Sequence, residues 1–166
     1  NFTAERKNTK WATDFTYLYL SDGSLHYNCS IIDLYDRSVV ASLTDSKMTA
    51  SLAIRTLKDA LRRQSKKISG LILHSDQGAQ FTSREFTSFC NSVGVIQSMS
   101  RAACPYDNSP MERFFNTLKT ELIYLYNFHS KEQLYKAIDD FVYVFYNHVR
   151  PHSFNDNLTP FQKRSL

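Results

Sequence analysis

Three acidic residues occupy positions from which carboxylates can act together on a phosphodiester bond. Asp14 interrupts an aromatic and aliphatic run typical of a strand, Asp76 follows a second apolar run, and Glu112 lies at the start of a helical pattern. An unpaired carboxylate is costly to bury, and three that converge repel one another unless a cation neutralises them. Two Mg²⁺ or Mn²⁺ ions held by such acids can activate a water or a 3′-hydroxyl for in-line attack on phosphorus. The acids therefore predict a two-metal site for phosphoryl transfer.

Each acid also has a structural alternative. Ser109, Pro110 and Glu112 match a capping box, with Ser109 as N-cap, Pro110 at the first helical position and Glu112 at the third. Asp14 can be a buried aspartate bonded to backbone, and Asp76 can form a turn before Gly78. Taken alone, the local sequence around Glu112 favours the cap.

The helix that begins near Glu112 separates its polar and apolar residues. At 100° per residue, Asn116 lies about 40° and Lys119 about 20° from Glu112 around the axis. The far side carries the apolar residues Met111, Phe114, Phe115, Leu118, Leu122 and Leu125. Lys119 lies about 10 Å beyond Glu112 along the axis, a distance suited to a phosphate next to a metal site. We predict that Asn116 and Lys119 contact DNA.

The elements that must position these acids form an α/β pattern. Three runs rich in β-branched and aromatic residues, at 11–20, 24–33 and 37–44 and joined by short turns, predict an antiparallel meander. Two further apolar runs, separated by a helical segment, predict parallel strands. We expect helices at 49–67, 83–91, 110–126 and 130–149 and strands at 70–73 and 93–99, with Arg150 and Pro151 ending the last helix. The prediction is a five-stranded mixed sheet, with three antiparallel strands and then two parallel ones, flanked by helices.

The composition predicts one ordered domain over residues 1–166. The chain is 42% hydrophobic and carries a net charge of +4, which favours a polyanionic partner without deciding one. Its three cysteines are widely spaced, so neither a disulfide framework nor a zinc site is indicated, and we expect a reducing cytoplasm. No apolar run approaches the length of a membrane span, and the polar start is not typical of a signal peptide.

Other polar residues leave two interpretations open. A basic stripe on the helix at 49–67 either binds DNA or is a solvated face; its members are Arg55, Lys58, Arg62 and Lys66. Asp33 and Asp36 flank a turn and are expected to shape it rather than to bind metal. His74 either orients the acidic site or simply ends a strand. Tyr143 and Tyr146 are expected to pack within the last helix rather than to stack on bases.

Four blocks of the sequence resemble signatures of the DDE integrase-core superfamily, and specifically bacterial insertion-sequence transposases of the OrfB type, whose catalytic domain is similar to that of retroviral integrases. The blocks are WATDFTY at 11–17, HSDQGAQF at 74–81, YDNSPMERFF at 106–115, and YNHVRPHS at 146–153 with LTPF at 158–161. Between Asp76 and Glu112 lie 35 residues, the spacing of the D,D-35-E group. Flanking motif and spacing together favour catalysis over capping for Glu112.

The resemblance implies an RNase H-like fold and a catalytic core that cleaves DNA at element 3′ ends and transfers the strand. It implies that Asp14, Asp76 and Glu112 bind the two Mg²⁺ or Mn²⁺ ions, that Lys119 contacts DNA ends, and that Asn108 lies near the active site and contacts DNA. It also implies assembly on DNA as a homo-oligomer, at least a dimer, in the bacterial cytoplasm at the nucleoid. The family's upstream helix-turn-helix region is expected to be absent from this chain. The alternatives are an RNase H-like nuclease that only hydrolyses and an inactive DNA-binding or dimerising remnant.

Overall fold

A computed structural model describes residues 2–102 and 104–166, with the backbone but not the side chains of residues 105 and 106. Its strands are β1 (Lys10–Tyr19), β2 (Leu25–Asp33), β3 (Val39–Asp45), β4 (Ile72–Ser75) and β5 (Ile96–Met99). They form one sheet in the order β3-β2-β1-β4-β5. β1, β2 and β3 pair antiparallel, whereas β4 and β5 run parallel to β1. The predicted five-stranded mixed sheet is confirmed.

The helices cover both faces of this sheet. They are α1 (Ala50–Arg62), α2 (Ala79–Thr82), α3 (Arg84–Ser92), α4 (Ser109–Glu121), α5 (Lys131–Asp139), which continues as a π-helical segment (Asp140–Val149), and α6 (Pro160–Arg164). Trp11 and Ala12 are neighbours on β1 and point to opposite faces, as strand geometry requires. Trp11 belongs to the core beneath α1 and α3, and Ala12 to the core beneath α4, α5 and the π-helical segment. β1 is therefore buried on both faces.

Several predicted boundaries were wrong, each for a local reason. α1 ends at Arg62 rather than at 67 because its apolar stripe ends at Leu61 and residues 65–67 are exposed polar residues with no apolar side chain to bury. β5 begins at Ile96 rather than at 93 because Gly94 has a φ of +72°, which extended backbone does not allow. α4 stops at Glu121, where Leu122 leaves the helical conformation, and a 3₁₀ turn replaces the predicted last turn.

The π-helical segment covers the exposed edge of the sheet at β3. The amide nitrogen of Asn147 donates to the carbonyl of Val39 at 3.0 Å, and its oxygen accepts from the Val39 N–H at 2.8 Å. The Tyr143 hydroxyl accepts from the Ser42 N–H at 2.8 Å. These side chains replace a strand partner along β3, which protects the edge from pairing with another chain. Tyr143 and Tyr146 thus pack within the fold, as expected, and Tyr146 is buried.

Candidate active site

The parallel pairing of β1 with β4 brings two of the three acids together. Ala12 pairs with His74, and the same register carried two residues further places Asp14 beside Asp76, just beyond the end of β4. Burial raises the pKa of Asp14 to about 7, the N–H of Phe15 opposes the rise, and the carboxylates of Asp76 and Glu112 add to it. All three acids therefore lie within electrostatic reach of one another. A positive charge beside Asp14 would offset this repulsion and stabilise the ionised carboxylate.

Each aspartate is anchored by one oxygen. Oδ1 of Asp14 accepts from the N–H of Phe15 at 2.8 Å, and Oδ1 of Asp76 accepts from the N–H of Gly78 at 2.7 Å. A Cβ at position 78 would lie 2.8 Å from the Asp76 carboxylate, so the turn requires glycine there. Asp76 thus forms a turn, as its structural alternative predicted. Because a single oxygen suffices for that turn, the carboxylate retains a second oxygen for another ligand.

Glu112 does not cap its helix, so the predicted capping box was wrong. Ser109 is itself helical, with φ −58° and ψ −33°, and Asn108 precedes the helix without a side-chain cap bond. A capping box needs an extended N-cap residue whose side chain accepts from the third helical N–H. The Glu112 carboxylate is exposed and bonds to no residue in the described ranges. Helix capping therefore does not explain the acid at position 112.

Two residues brace the loop that leads into α4. Asn108 is 5% exposed, and its Nδ2 donates to the carbonyl oxygen of Thr13 at 3.0 Å, which ties the loop to the residue before Asp14. From β4, the Nε2 of His74 lies 2.6 Å from the carbonyl oxygen of Asp107 and 3.1 Å from the hydroxyl of Ser100. His74 therefore orients the loop rather than only ending a strand. Sequence reasoning assigned Asn108 to DNA and missed this inward bond, although the position of Asn108 directly before α4 was visible.

Lys119 and Asn116 lie where helix geometry placed them. Asn116 is exposed, and Lys119 lines a groove of about 450 Å³ between β1 and the turn after α4. The same groove is flanked by Tyr17, Tyr19 and Tyr124, whose side chains are largely exposed. Exposed aromatic rings beside a lysine suit stacking on nucleobases next to a phosphate contact. The periodicity of a strand does not show which of its faces is exposed to solvent, so these tyrosines could not be singled out from the sequence.

The basic stripe of α1 lies away from this site. α1 packs on the core of Trp11 and α4 on that of Ala12, so the two helices are on opposite faces of the sheet. Arg55 forms an ion pair with Asp45, and Arg62 forms one with Asp59. Lys58 and Lys66 are exposed. These contacts fit the solvated-face alternative.

Within residues 2–102 and 104–166, no three His, Cys, Asp or Glu side chains are close enough together to enclose a metal ion. The two aspartates are adjacent, whereas Glu112 acts on Asp14 through its field. Carboxylate oxygens are nevertheless the donors that Mg²⁺ and Mn²⁺ prefer, and a partly buried carboxyl whose pKa is raised beside two other acids is chemically suited to a divalent cation. The donor set fits such an ion.

Comparison with models of protein families shows which family this chain belongs to. Two models described as integrase core domain match residues 4–105 and 93–160. The chain belongs to the integrase core domain family. Its sheet order is that of an integrase core with an RNase H-like fold.

Curated relatives of this integrase core include insertion-element proteins. The transposase InsF for insertion sequence IS3A of Escherichia coli K12 is 36% identical over 168 aligned residues, which span 100% of this chain and 58% of the relative. The insertion element IS600 uncharacterized 31 kDa protein of Shigella sonnei is 35% identical over 159 residues, 96% of this chain and 58% of that protein. The chain thus spans a little over half the length of these relatives.

Solved structures share the fold at low identity. A chain of the simian T-cell lymphotropic virus intasome, in complex with PP2A regulatory subunit B56 gamma, superposes with a TM-score of 0.81 at 22% identity, covering 99% of this chain and 56% of that one. The HTLV-2 integrase catalytic core domain in complex with magnesium gives 0.72 at 20% identity, covering 97% and 99%. In the described part of the integrase core, none of the helices is long and apolar enough to span a membrane.

Proposed function

We propose that this integrase core is the catalytic domain of a DNA transposase that cleaves phosphodiester bonds at element 3′ ends and joins those ends to target DNA. The observation that carries the proposal is the Asp14 carboxyl, whose pKa is raised to about 7 by burial and by Asp76 and Glu112. A partly buried carboxylate beside two other carboxylates costs free energy through repulsion unless a bound cation offsets that repulsion. Similarity to InsF, a transposase, supports the same activity.

Asp14, Asp76 and Glu112 would hold Mg²⁺ or Mn²⁺, two per site. When bound, the ions supply Lewis acidity that activates a hydroxyl and stabilises the leaving oxygen. The turn at Gly78 and the Phe15 N–H fix one oxygen of each aspartate, so the other is presented in a defined direction. Asn108 and His74 hold the loop that sets the start of α4, and Lys119 binds a phosphate further along the strand. Positioning of this kind supplies much of the rate acceleration in phosphoryl transfer.

The test is strand joining by wild type and by Glu112→Gln. Each protein is incubated with Mn²⁺, plasmid and a labelled duplex that carries a recessed 3′-hydroxyl, at matched DNA occupancy. Since Glu112 makes no cap bond, glutamine preserves α4, and we expect joining to fall by about two orders of magnitude or more while DNA binding persists. Glu85→Gln is the matched control, because Glu85 is also an exposed acid in the first turn of a helix. Near-normal joining by Glu112→Gln would remove the triad from the mechanism, and plasmid cleavage without joining would identify a hydrolytic nuclease.

The proposed partners are DNA and further copies of this chain, acting in the bacterial cytoplasm at the nucleoid. Exposed aromatic side chains from the turn after α4 and from the π-helical segment, Tyr126 and Phe145, line one largely apolar groove. Contiguous exposed apolar surface is typical of an interaction site. Light scattering with and without DNA would measure the assembly, and a strict monomer on DNA would contradict it.

A further inference from the structure

A pocket of about 320 Å³ lies beside α4, on a different side of the helix from Glu112. Arg113 follows Glu112 by about 100° around the axis and lines this pocket. Arg37 reaches it from the turn between β2 and β3, and Arg150 and His152 reach it from the segment that follows the π-helical region. Elements distant in sequence therefore bring three guanidinium groups and an imidazole to one cavity.

The positive charge in this pocket is incompletely balanced. Arg150 is matched by Glu121 at 2.8 Å. Arg37 donates from Nη2 to the carbonyl oxygen of Phe2 and stacks on the ring of Phe154, but its Nη1 is buried and has no partner. Burial lowers the pKa of Arg37 to about 10, which leaves it charged near pH 7.

Arg113 also lines this cavity and adds a further positive charge to it. It is exposed and forms no ion pair with any residue in the described ranges. The positive charges of Arg37 and Arg113 repel each other, and this repulsion contributes to the lowered pKa of Arg37. Asp33 and Asp36 act on Arg37 only through their field, and its buried Nη1 has no acceptor, so the arrangement favours a ligand that supplies an anionic oxygen.

A second buried atom in the pocket also has no partner. The Nε2 of His152 is completely enclosed, and the residue is 8% exposed. Its ring packs edge-on against Tyr146, which is buried in the same cavity wall. Burial and the neighbouring Arg150 lower the pKa of His152 to about 4, so the imidazole is neutral near pH 7. Because the ring donates to the backbone of Tyr146, this Nε2 is an acceptor. Buried polar atoms are nearly always hydrogen-bonded, so the orphaned Nη1 donor of Arg37 indicates a missing acceptor in this cavity.

We propose that this pocket binds a phosphate group, held by Arg37 and Arg113. Guanidinium groups bind phosphate oxygens through short, charge-assisted bonds, and the positive end of the α4 dipole adds to the attraction. The apolar walls, which include Phe2 and Phe154, suit the sugar next to a phosphodiester. The assignment of that phosphate to the DNA backbone rests on the proposed function. On that basis α4 contacts DNA twice, at the reacting bond through one side and at a second phosphate through another.

The first experiment titrates this chain with inorganic phosphate at constant ionic strength, with chloride as the balancing anion and no divalent cation. The side chain of His152 is followed by NMR. We expect a saturable shift that is about tenfold weaker in Arg113→Gln, the loss of one charge-assisted bond. Arg113 is exposed, so the variant keeps its fold. Arg84→Gln removes an exposed arginine on α3 and should bind phosphate as wild type does. A shift that never saturates, or that Arg113→Gln leaves unchanged, would overturn the pocket.

The second experiment identifies the source of the phosphate. Binding of a duplex is measured across salt concentrations without divalent cation for wild type, Arg113→Gln and Arg84→Gln. Loss of one phosphate contact should reduce the salt slope by about 0.9 in Arg113→Gln and by less in Arg84→Gln. Saturable phosphate binding with an unchanged slope would overturn the DNA assignment in favour of a free phosphate compound. Because neither measurement needs catalysis, a failure of strand joining leaves both results interpretable.

Discussion

Asn108 connects the loop before α4 to the strand that carries Asp14. Its Nδ2 donates to the carbonyl oxygen of Thr13 from a position that is 5% exposed, while its Oδ1 is buried without a partner in the described chain. A bond so close to Asp14 fixes the distance between the aspartates and α4. Asn108 is thus a positioning residue whose effect reaches the acids through the backbone.

Replacing Asn108 should affect both stability and catalysis. Asn108→Ala leaves the Thr13 carbonyl buried without its donor, and we expect the free energy of unfolding to fall by about 1–3 kcal/mol. Strand joining should fall as well because the loop is no longer held. Asn116→Ala is the control, since Asn116 is exposed on the same helix. Urea denaturation of both variants measures the difference, and equal stabilities would show that the Thr13 bond contributes nothing.

The buried imidazole of His152 makes stability depend on pH. Its folded pKa is about 4, whereas the ordinary value is 6.5, so between these values the unfolded chain binds a proton that the folded chain does not. Its contribution to stability is therefore complete above pH 6.5 and is lost as the pH falls towards 4. We expect the difference in unfolding free energy between wild type and His152→Gln to shrink over this range. A difference independent of pH would contradict the buried, neutral state.

At the scale of elements, the short helix α6 is locked to the turn between β2 and β3. Arg164 donates from Nη1 to Asp33 at 2.9 Å and to Asp36 at 2.7 Å, and both aspartates are fully buried. Each aspartate also accepts a backbone N–H within the turn, at Tyr35 and Ser38. Asp33 and Asp36 therefore shape the turn, as expected from sequence, and Arg164 forms an ion pair with each of them.

Removing Arg164 should be strongly destabilising. Arg164→Leu leaves two buried carboxylates uncompensated, and we expect a loss of about 3–5 kcal/mol in urea denaturation. Lys163→Leu on the same helix should change stability by less than about 1 kcal/mol. Adding Asp33→Asn and Asp36→Asn to Arg164→Leu should recover part of the loss, since no charge then remains buried. An additive, larger loss in the triple variant would show that the aspartates act through the turn alone.

At the scale of the whole molecule, the net charge is +4. Within the described residues, Lys119 and Arg113 on α4 form no ion pair, so α4 carries basic groups that can meet phosphates as well as Glu112. Phosphate contacts of this kind attract DNA without reading its sequence. The isolated chain should therefore bind DNA weakly and nonspecifically.

This prediction is tested by salt titration with two unrelated duplexes. The logarithm of the binding constant should fall with the logarithm of salt, at about −0.9 per phosphate contacted, and equally for both sequences. Lys119→Gln removes one phosphate contact and should therefore reduce the magnitude of this slope by about 0.9. Lys67→Gln changes an exposed lysine beyond α1 and serves as the control. A flat salt response or a strong preference for one duplex would contradict nonspecific electrostatic binding.

The sequence by itself determined the succession of strands and helices along the chain, and it singled out Asp14, Asp76 and Glu112 as the candidate acids. Alternating and helical periodicities are local, as are the motif blocks around Asp14, Asp76 and Glu112, so they can be read without knowing how the chain folds. Only the tertiary structure decided that Glu112 is free of a cap, that Asn108 faces inward and that Arg37 and Arg113 share a pocket. The bond from Asn108 spans 95 residues of sequence and that from Arg164 to Asp36 spans 128. Such contacts depend on how distant elements pack, and local patterns carry no information about them.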